Sequence, residues 1–381
     1  MQQHGSGNGQ VHRPPAPAPG TRCSTIGVIA NPMSGRDIRR LVAHASVFPN
    51  AEKSNMVLRI VAAAGALGVD RVLLSTDQFG VAGGVLRAVR QHRATESGRL
   101  PDLEFCELDR TTGTAEDTRA LVRRMRAAGA EVIVLLGGDG TVRAAASELG
   151  DTPVLPLSTG TNNAFPQMWE ATVAGTAAAL VATGLVDPAT VAQRAKLLRV
   201  TCGDRDELAL VDVCVSTAEH VGARAVWQAS SLRELYCAFA EPHATGLSSI
   251  PGQLLPTGRH EPRGVAVRFA PQDTAPRTVL APIAPGALTT VGVADAEPLP
   301  LDQPRSSDVP AGTVALDGER EFEFGAGQTV TVTLTDQGPR VLDVRAVLAT
   351  AAQRGLLIQP PPASAAPNGS WRTAPHNGGI P

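Results

Sequence analysis

Between residues 25 and 183 the chain repeats one phrase five times: a short, continuous apolar run followed by a stretch with helical spacing. The runs are TIGVIA (25–30), RVLLS (71–75), LEFCEL (103–108), EVIVLL (131–136) and TPVLPLS (152–158). They are short enough for strands and lack the alternation of a strand with one wet face. Buried strands alternating with helices imply a parallel sheet covered on both sides. The predicted helices fall at 37–46, about 54–67, 81–92, 115–129 behind a Thr114 cap, from the glycine-rich turn at 137–141 to Leu149, and about 170–183.

Beyond about residue 196 the pattern changes. Short β-branched runs appear at 195–202, 208–216, 263–270, 277–283, 288–294, 312–318, 320–325 and 328–335, separated by Gly, Pro and Asp. These predict a mostly antiparallel second domain. One helix is expected to interrupt it near 219–240, and a last helix to close the fold at 342–355. The expected fold class is an α/β N-terminal domain with a parallel sheet plus a mostly antiparallel β C-terminal domain. The expected division is 23–190, 191–335 and a closing helical segment at 336–358. Residues 1–22 and 359–381 are rich in Gly, Pro and polar residues without periodicity, and are expected as disordered tails.

Aromatic residues make up 3% of the chain, so the core has to be built from Ala, Val and Leu. A net charge of −2 argues against a nucleic-acid partner, which needs a basic surface. The five cysteines are scattered, with no CxxC pair, so neither a disulfide framework nor a zinc site is expected. No leader-like segment is evident and no apolar run approaches the roughly 18 residues of a membrane span, so a cytoplasmic location is expected. Lysine occurs only at Lys53 and Lys196, with arginine supplying every other cation of the pair. It reads as a compositional bias without functional content.

Ligands of parallel α/β sheets bind outside the carboxyl ends of the strands, and three unusual loops leave such ends here. Asn31-Pro32-Met33-Ser34-Gly35 offers an amide, a hydroxyl and a glycine before a helix start, where free backbone N–H groups favour phosphate. Gly137-Gly138-Asp139-Gly140-Thr141 sets an acid among three glycines. The glycines admit φ > 0 and close ligand approach, and Thr141 or Asp139 is suited to cap the next helix. Ser158 to Pro166 (STGTNNAFP) clusters hydroxyls and amides suited to phosphate or ribose. Neither a P-loop nor a Rossmann G-x-G-x-x-G opening a helix is present.

At these residues the chain resembles the NAD kinase and diacylglycerol kinase superfamily. GGDGT at Gly137–Thr141, N-P-x-S-G at Asn31–Gly35, G-T-x-N-[DN]-F at Gly160–Phe165 and D-G-E at Asp317–Glu319 carry the likeness, over roughly residues 25 to 345. Within it the chain looks similar to the ATP–NAD kinase-like family of the acetoin catabolism protein X type. The resemblance implies a cleft between two domains, ATP with Mg2+ as divalent metal, and phosphoryl transfer to a hydroxyl, foremost the ribose 2′-OH of NAD.

Asp139 is then the expected acceptor of the hydroxyl proton, with Glu319 as a second catalytic acid and Asp317 at the metal. Asn31, Ser34, Gly35, Gly137, Gly138, Gly140, Thr141, Gly160, Thr161, Asn162 and Asn163 are the expected nucleotide contacts. Asp317-Gly318 is equally a tight hairpin signal. The Asn-Glu pair of many such kinases is missing. GGDGT runs instead into Val142-Arg143-Ala144-Ala145, where Arg143 reads as a phosphate contact or a solvated helix arginine. Two further readings therefore stand beside the NAD kinase: a lipid or small-alcohol kinase, and a nucleotide-binding regulator without catalysis linked to acetoin catabolism. Self-association is a property the resembling kinases allow. His220 and His243 are lone histidines, more ordinarily structural than catalytic.

Overall fold

A computed structural model describes residues 23–35, 48–94, 98–160, 163–217 and 229–358. The expected tails, the helix at 37–46 and the positions Thr161, Asn162 and His220 lie outside the described residues. The α/β part runs β1 (Thr25–Ala30), α1 (Asn50–Ala66), β2 (Arg71–Ser75), α2 (Val81–Ala94), β3 (Asp102–Cys106), α3 (Ala115–Ala127), β4 (Val132–Gly137), α4 (Asp139–Ala146), β5 (Val154–Ser158), α5 (Ala171–Ala182) and α6 (Pro188–Val191). Its order and boundaries follow the sequence reading closely. The Thr114 side chain caps α3 by accepting from Glu116 N–H at 3.3 Å.

The first sheet has the order β3-β2-β1-β4-β5, and these neighbours all pair in parallel. Two later strands complete it beyond β5: β18 (Arg340–Leu342) and β6 (Ala192–Arg194). β1 and β4 are buried along their whole length, as continuous apolar strands between helical layers should be. Chain order reverses between β1 and β4, so the crevice there is the topological switch point. With aromatics so few, close approach replaces bulk in the core. A Cβ on Gly175 of α5 would lie 2.8 Å from the Ile60 Cα of α1, so the two helices meet nearly backbone to backbone.

The second part is antiparallel. Its strands are β7 (Leu197–Cys202), β8 (Arg205–Ala209), β9 (Asp212–Ser216), β10 (Leu232–Cys237), β11 (Arg263–Phe269), β12 (Arg277–Ala284), β13 (Ala287–Pro300), β14 (Arg305–Ser306), β15 (Gly312–Leu316), β16 (Glu319–Phe324) and β17 (Thr331–Thr335), with the short helix α7 (Ser249–Gly252). They form a seven-stranded sheet, β12-β13-β11-β10-β9-β15-β16, and a four-stranded one, β14-β17-β7-β8. The chain then returns through β18 to the first sheet and ends in α8 (Val344–Gln353), which packs on α5.

The helix expected near 219–240 is not found in the described part of that range. Residues 229–231 form a single 3-10 turn, and β10 follows as a central strand between β9 and β11. LRELYC is nearly continuous in burial, and a run of that kind fits a central strand as well as a helix until its neighbours are known.

Candidate functional site

A cleft of about 1270 Å³ lies between the two parts, at the carboxyl ends of β1, β4 and β5. Asn31, Ser34, Gly35, Gly138, Asp139, Gly140, Thr141, Gly160, Asn163, Asp317 and Glu319 all line it. The structure thus brings together every described residue expected at the site except Gly137, which lies just behind the wall.

The three loops are tied to one another before any ligand enters. Asn31 Nδ2 donates to Thr141 Oγ1 at 2.8 Å, joining the first loop to the second. The Ser34 and Thr159 hydroxyls share a hydrogen bond of 2.9 Å, joining the first to the third. Thr159 N–H donates to Gly137 O at 3.0 Å, joining the second and third. Thr141 therefore does not cap α4. The N-cap is Gly138, with no side-chain cap bond, and Thr141 is buried in the first turn as the partner of Asn31.

The glycines serve space rather than dihedral freedom. Gly138 sits at φ −106°, and none of Gly137, Gly138, Gly140 and Gly160 has positive φ. A Cβ on Gly137 would fall 2.5 Å from the Thr141 Cβ, and one on Gly160 would fall 2.4 Å from Asn163 Oδ1. Gly140 differs: nothing lies within 4 Å of its absent side chain, so there the bare backbone faces the cleft. Gly35, at the end of the first loop, does take the left-handed region, with φ 80°.

Asp139 does not cap its own helix either. Its carboxylate accepts from Ala164 N–H at 3.0 Å and from Phe165 N–H at 2.8 Å. These bonds tie the side chain, at the first turn of α4, to the segment that follows β5.

The opposite wall is the β15–β16 hairpin. Asp317 and Gly318 have φ of 51° and 77°, the doubly left-handed turn expected of Asp-Gly. The buried Asp317 carboxylate accepts from Leu210 N–H at 3.0 Å and Val211 N–H at 2.8 Å. Burial pushes its pKa up to about 8, with Asp139 and Asp212 adding to the rise and Arg143 opposing it. Asp317 thus does not fit the metal position expected for it: its oxygens are taken by main-chain donors. No cluster of three or more His, Cys, Asp or Glu among the described residues is arranged to hold a metal ion.

Arg143 is neither solvated nor a free phosphate arm. It reaches from α4 across the cleft, pairing with Glu321 and lying 3.6 Å from Asp317. Glu321 escaped the sequence reading although the signal was there. It lies two residues beyond Glu319 on β16, at a register shift against β15, and lines the same cleft.

A second omission is Lys53. Fully buried on α1, its ammonium donates to the carbonyls of Asn31 (2.9 Å) and Ser34 (2.8 Å) and to Asn50 Oδ1 (3.1 Å). One of the chain's two lysines therefore holds the loop after β1. A third is Arg259, whose guanidinium grips the carbonyls of Ala164 and Phe165, the latter at 2.8 Å. The segment that orients Asp139 is thus held from behind.

Comparison with known proteins agrees with this architecture. Residues 26–186 match the ATP-NAD kinase N-terminal domain family, and residues 196–337 match the acetoin catabolism protein X C-terminal domain family. A relative named acetoin catabolism protein X, from Cupriavidus necator, is 42% identical over 337 residues, spanning 87% of this chain and 93% of its own. A crystal structure from Bacillus anthracis str. Sterne, described provisionally as a diacylglycerol kinase, aligns over 84% of this chain and 98% of its own, at 11% identity and a TM-score of 0.38. No helix among the described residues is long and apolar enough to cross a membrane.

Proposed function

The chain belongs to the acetoin catabolism protein X family, and from that footing we propose that it is an ATP-dependent kinase acting on a hydroxyl, with the ribose 2′-OH of NAD as the foremost acceptor. The observation that carries this reading is the placement of Asp139. It stands at the first turn of a helix at the switch point, held by two backbone amides and lining a cleft large enough for two substrates.

A phosphoryl-transfer site has little covalent chemistry to perform: it positions the two reactants and accepts a proton. Asp139 takes the proton of the attacking hydroxyl. The amides of Ala164 and Phe165 keep its carboxylate aimed. The first turn of α4, with the bare backbone of Gly140, receives phosphate oxygens, as helix starts do. Ser34, Gly160 and Asn163 line the same space for the nucleotide, and Thr161 and Asn162 are proposed with them. Asn31 and Thr141 act by locking the loops. A divalent ion would arrive with ATP as part of that substrate. Glu319 remains the second acid of the proposal, on the β wall. Asp317 shapes the hairpin rather than binding metal.

The test is NADP formation from ATP, Mg2+ and NAD, read by enzymatic cycling, with Asp139→Asn alongside. Asparagine keeps an acceptor for the loop amides but cannot take the proton, so turnover should fall by about 10²- to 10⁴-fold with nucleotide still bound. No NADP from the parent protein would remove NAD as acceptor. Turnover of lipid or small alcohols would then select another kinase substrate, and nucleotide binding without turnover of any alcohol would select a regulator.

A further inference from the structure

Behind the Ala164–Phe165 segment lies a second cavity, of about 630 Å³, facing away from the first. Its wall includes Lys196, Arg259, Phe239, Trp169 and Arg345. Lys196 is 5% exposed, and its ammonium donates to the carbonyls of Gly258 (3.0 Å) and Arg263 (2.5 Å). An ammonium carries three N–H donors, so one remains for whatever enters.

A buried cation is costly unless an anion offsets it. Among the described residues no carboxylate lies within ion-pair distance of Lys196; burial pulls its pKa down to about 8, with Arg263 adding to the fall and Glu261, itself paired with Arg263 at 3.1 Å, opposing it. The acids near by are otherwise engaged. Glu241 pairs with Arg259 at 3.2 Å, and Asp343 caps α8 by accepting from Arg345 N–H at 2.9 Å. The cations of the wall therefore exceed its available anions by one. The rest of the wall mixes polar side chains such as Gln167, Gln193 and His260 with apolar ones, the aromatic rings among them. Arg259 stacks 4.4 Å from the Phe239 ring centre, and Arg345 lies 5.5 Å from that of Trp169.

We propose that this cavity binds a small organic anion, a carboxylate or phosphate on a flat apolar body, with its head on Lys196 and Arg259 and its body between Phe239 and Trp169. The cavity and the cleft share one partition. Arg259 holds the carbonyls of Ala164 and Phe165, whose N–H groups hold Asp139. An occupant would therefore sit one residue's thickness from the proposed base.

The experiment needs no nucleotide, so its outcome is independent of the kinase reading. Binding of 4-fluorobenzoate, 4-fluorophenyl phosphate and the neutral 4-fluorobenzamide is followed by fluorine NMR on the whole chain. At least one anion is expected to bind, the amide about tenfold more weakly or worse, and Lys196→Met to weaken the anion about tenfold. Arg345→Glu, at an exposed position, is expected to weaken it several-fold with an unchanged melting temperature, and it decides the matter should Lys196→Met fail to fold. Binding of only one anion sustains the proposal and names the headgroup. Equal binding of the amide, no anion binding at millimolar concentration, or parent-like binding by Arg345→Glu together with any folded Lys196→Met would overturn it.

Discussion

The two walls of the cleft are built on different physics. The α/β wall is made by contact and by neutral or main-chain hydrogen bonds: Asn31 to Thr141, Ser34 to Thr159, Thr159 to Gly137, with glycines where a methyl group has no room. The β wall is made by titratable groups: Glu319 and Glu321, with the buried and proton-holding Asp317, on one hairpin facing Arg143 from α4. The first arrangement should be strict about volume and, its Asp139 and buried Lys53 aside, less responsive to pH and salt than the second. The second should tolerate volume changes and respond to both.

Gly137→Ala tests the strict wall most severely. Its methyl would lie 2.5 Å from the Thr141 Cβ, and overpacking of this kind costs about 3 kcal/mol, read as a lower urea midpoint. Gly140→Ala, with nothing within 4 Å, should leave the midpoint unchanged or slightly raised. Equal effects of the two would dissolve the distinction between space and dihedral freedom. Next in size is Lys53→Met, which releases the carbonyls of Asn31 and Ser34 and should cost about 2 kcal/mol, with little dependence on salt.

On the β wall the expected effects are smaller and conditional. Asp317 holds its proton up to about pH 8 in the folded chain, against 3.8 when free. Between those values the folded state binds a proton that the unfolded state lacks, so stability falls as pH rises, by no more than about 1.4 kcal/mol per unit. Asp317→Asn should flatten that slope in urea titrations run from pH 5 to pH 8. A slope unchanged in the variant would assign it to other groups. Smallest is Glu321→Gln: its side chain is 30% exposed, so removing the pair with Arg143 should cost less than about 1 kcal/mol, and the difference should shrink further in high salt.

The same contrast explains what could be read from the sequence. The α/β wall was legible because each strand end, cap and loop is written locally, from Thr114 before α3 to the three loops after β1, β4 and β5. β10 was misread because a short buried run takes its conformation from its neighbours β9 and β11, which no local pattern names. Lys53 and Arg259 were invisible for another reason. They hold main-chain carbonyls, which every residue carries, so nothing at the receiving end distinguishes their partners. Arg143 and Glu321 were legible as charges but not as a pair, since 178 residues separate them. Positive φ, one of the two uses expected of the site glycines, is absent at Gly137, Gly138, Gly140 and Gly160, and the close neighbours of Gly137 and Gly160 leave no more trace in the sequence than a carbonyl does.

The two lysines carry a practical consequence. Lys53 is fully buried with its amine engaged by main-chain oxygens, so an acyl tag appearing at position 53 marks a molecule that has opened. Lys196 lines a cavity, so a tag there can arise while the fold holds, and comparing the two positions separates access to that cavity from opening of the fold.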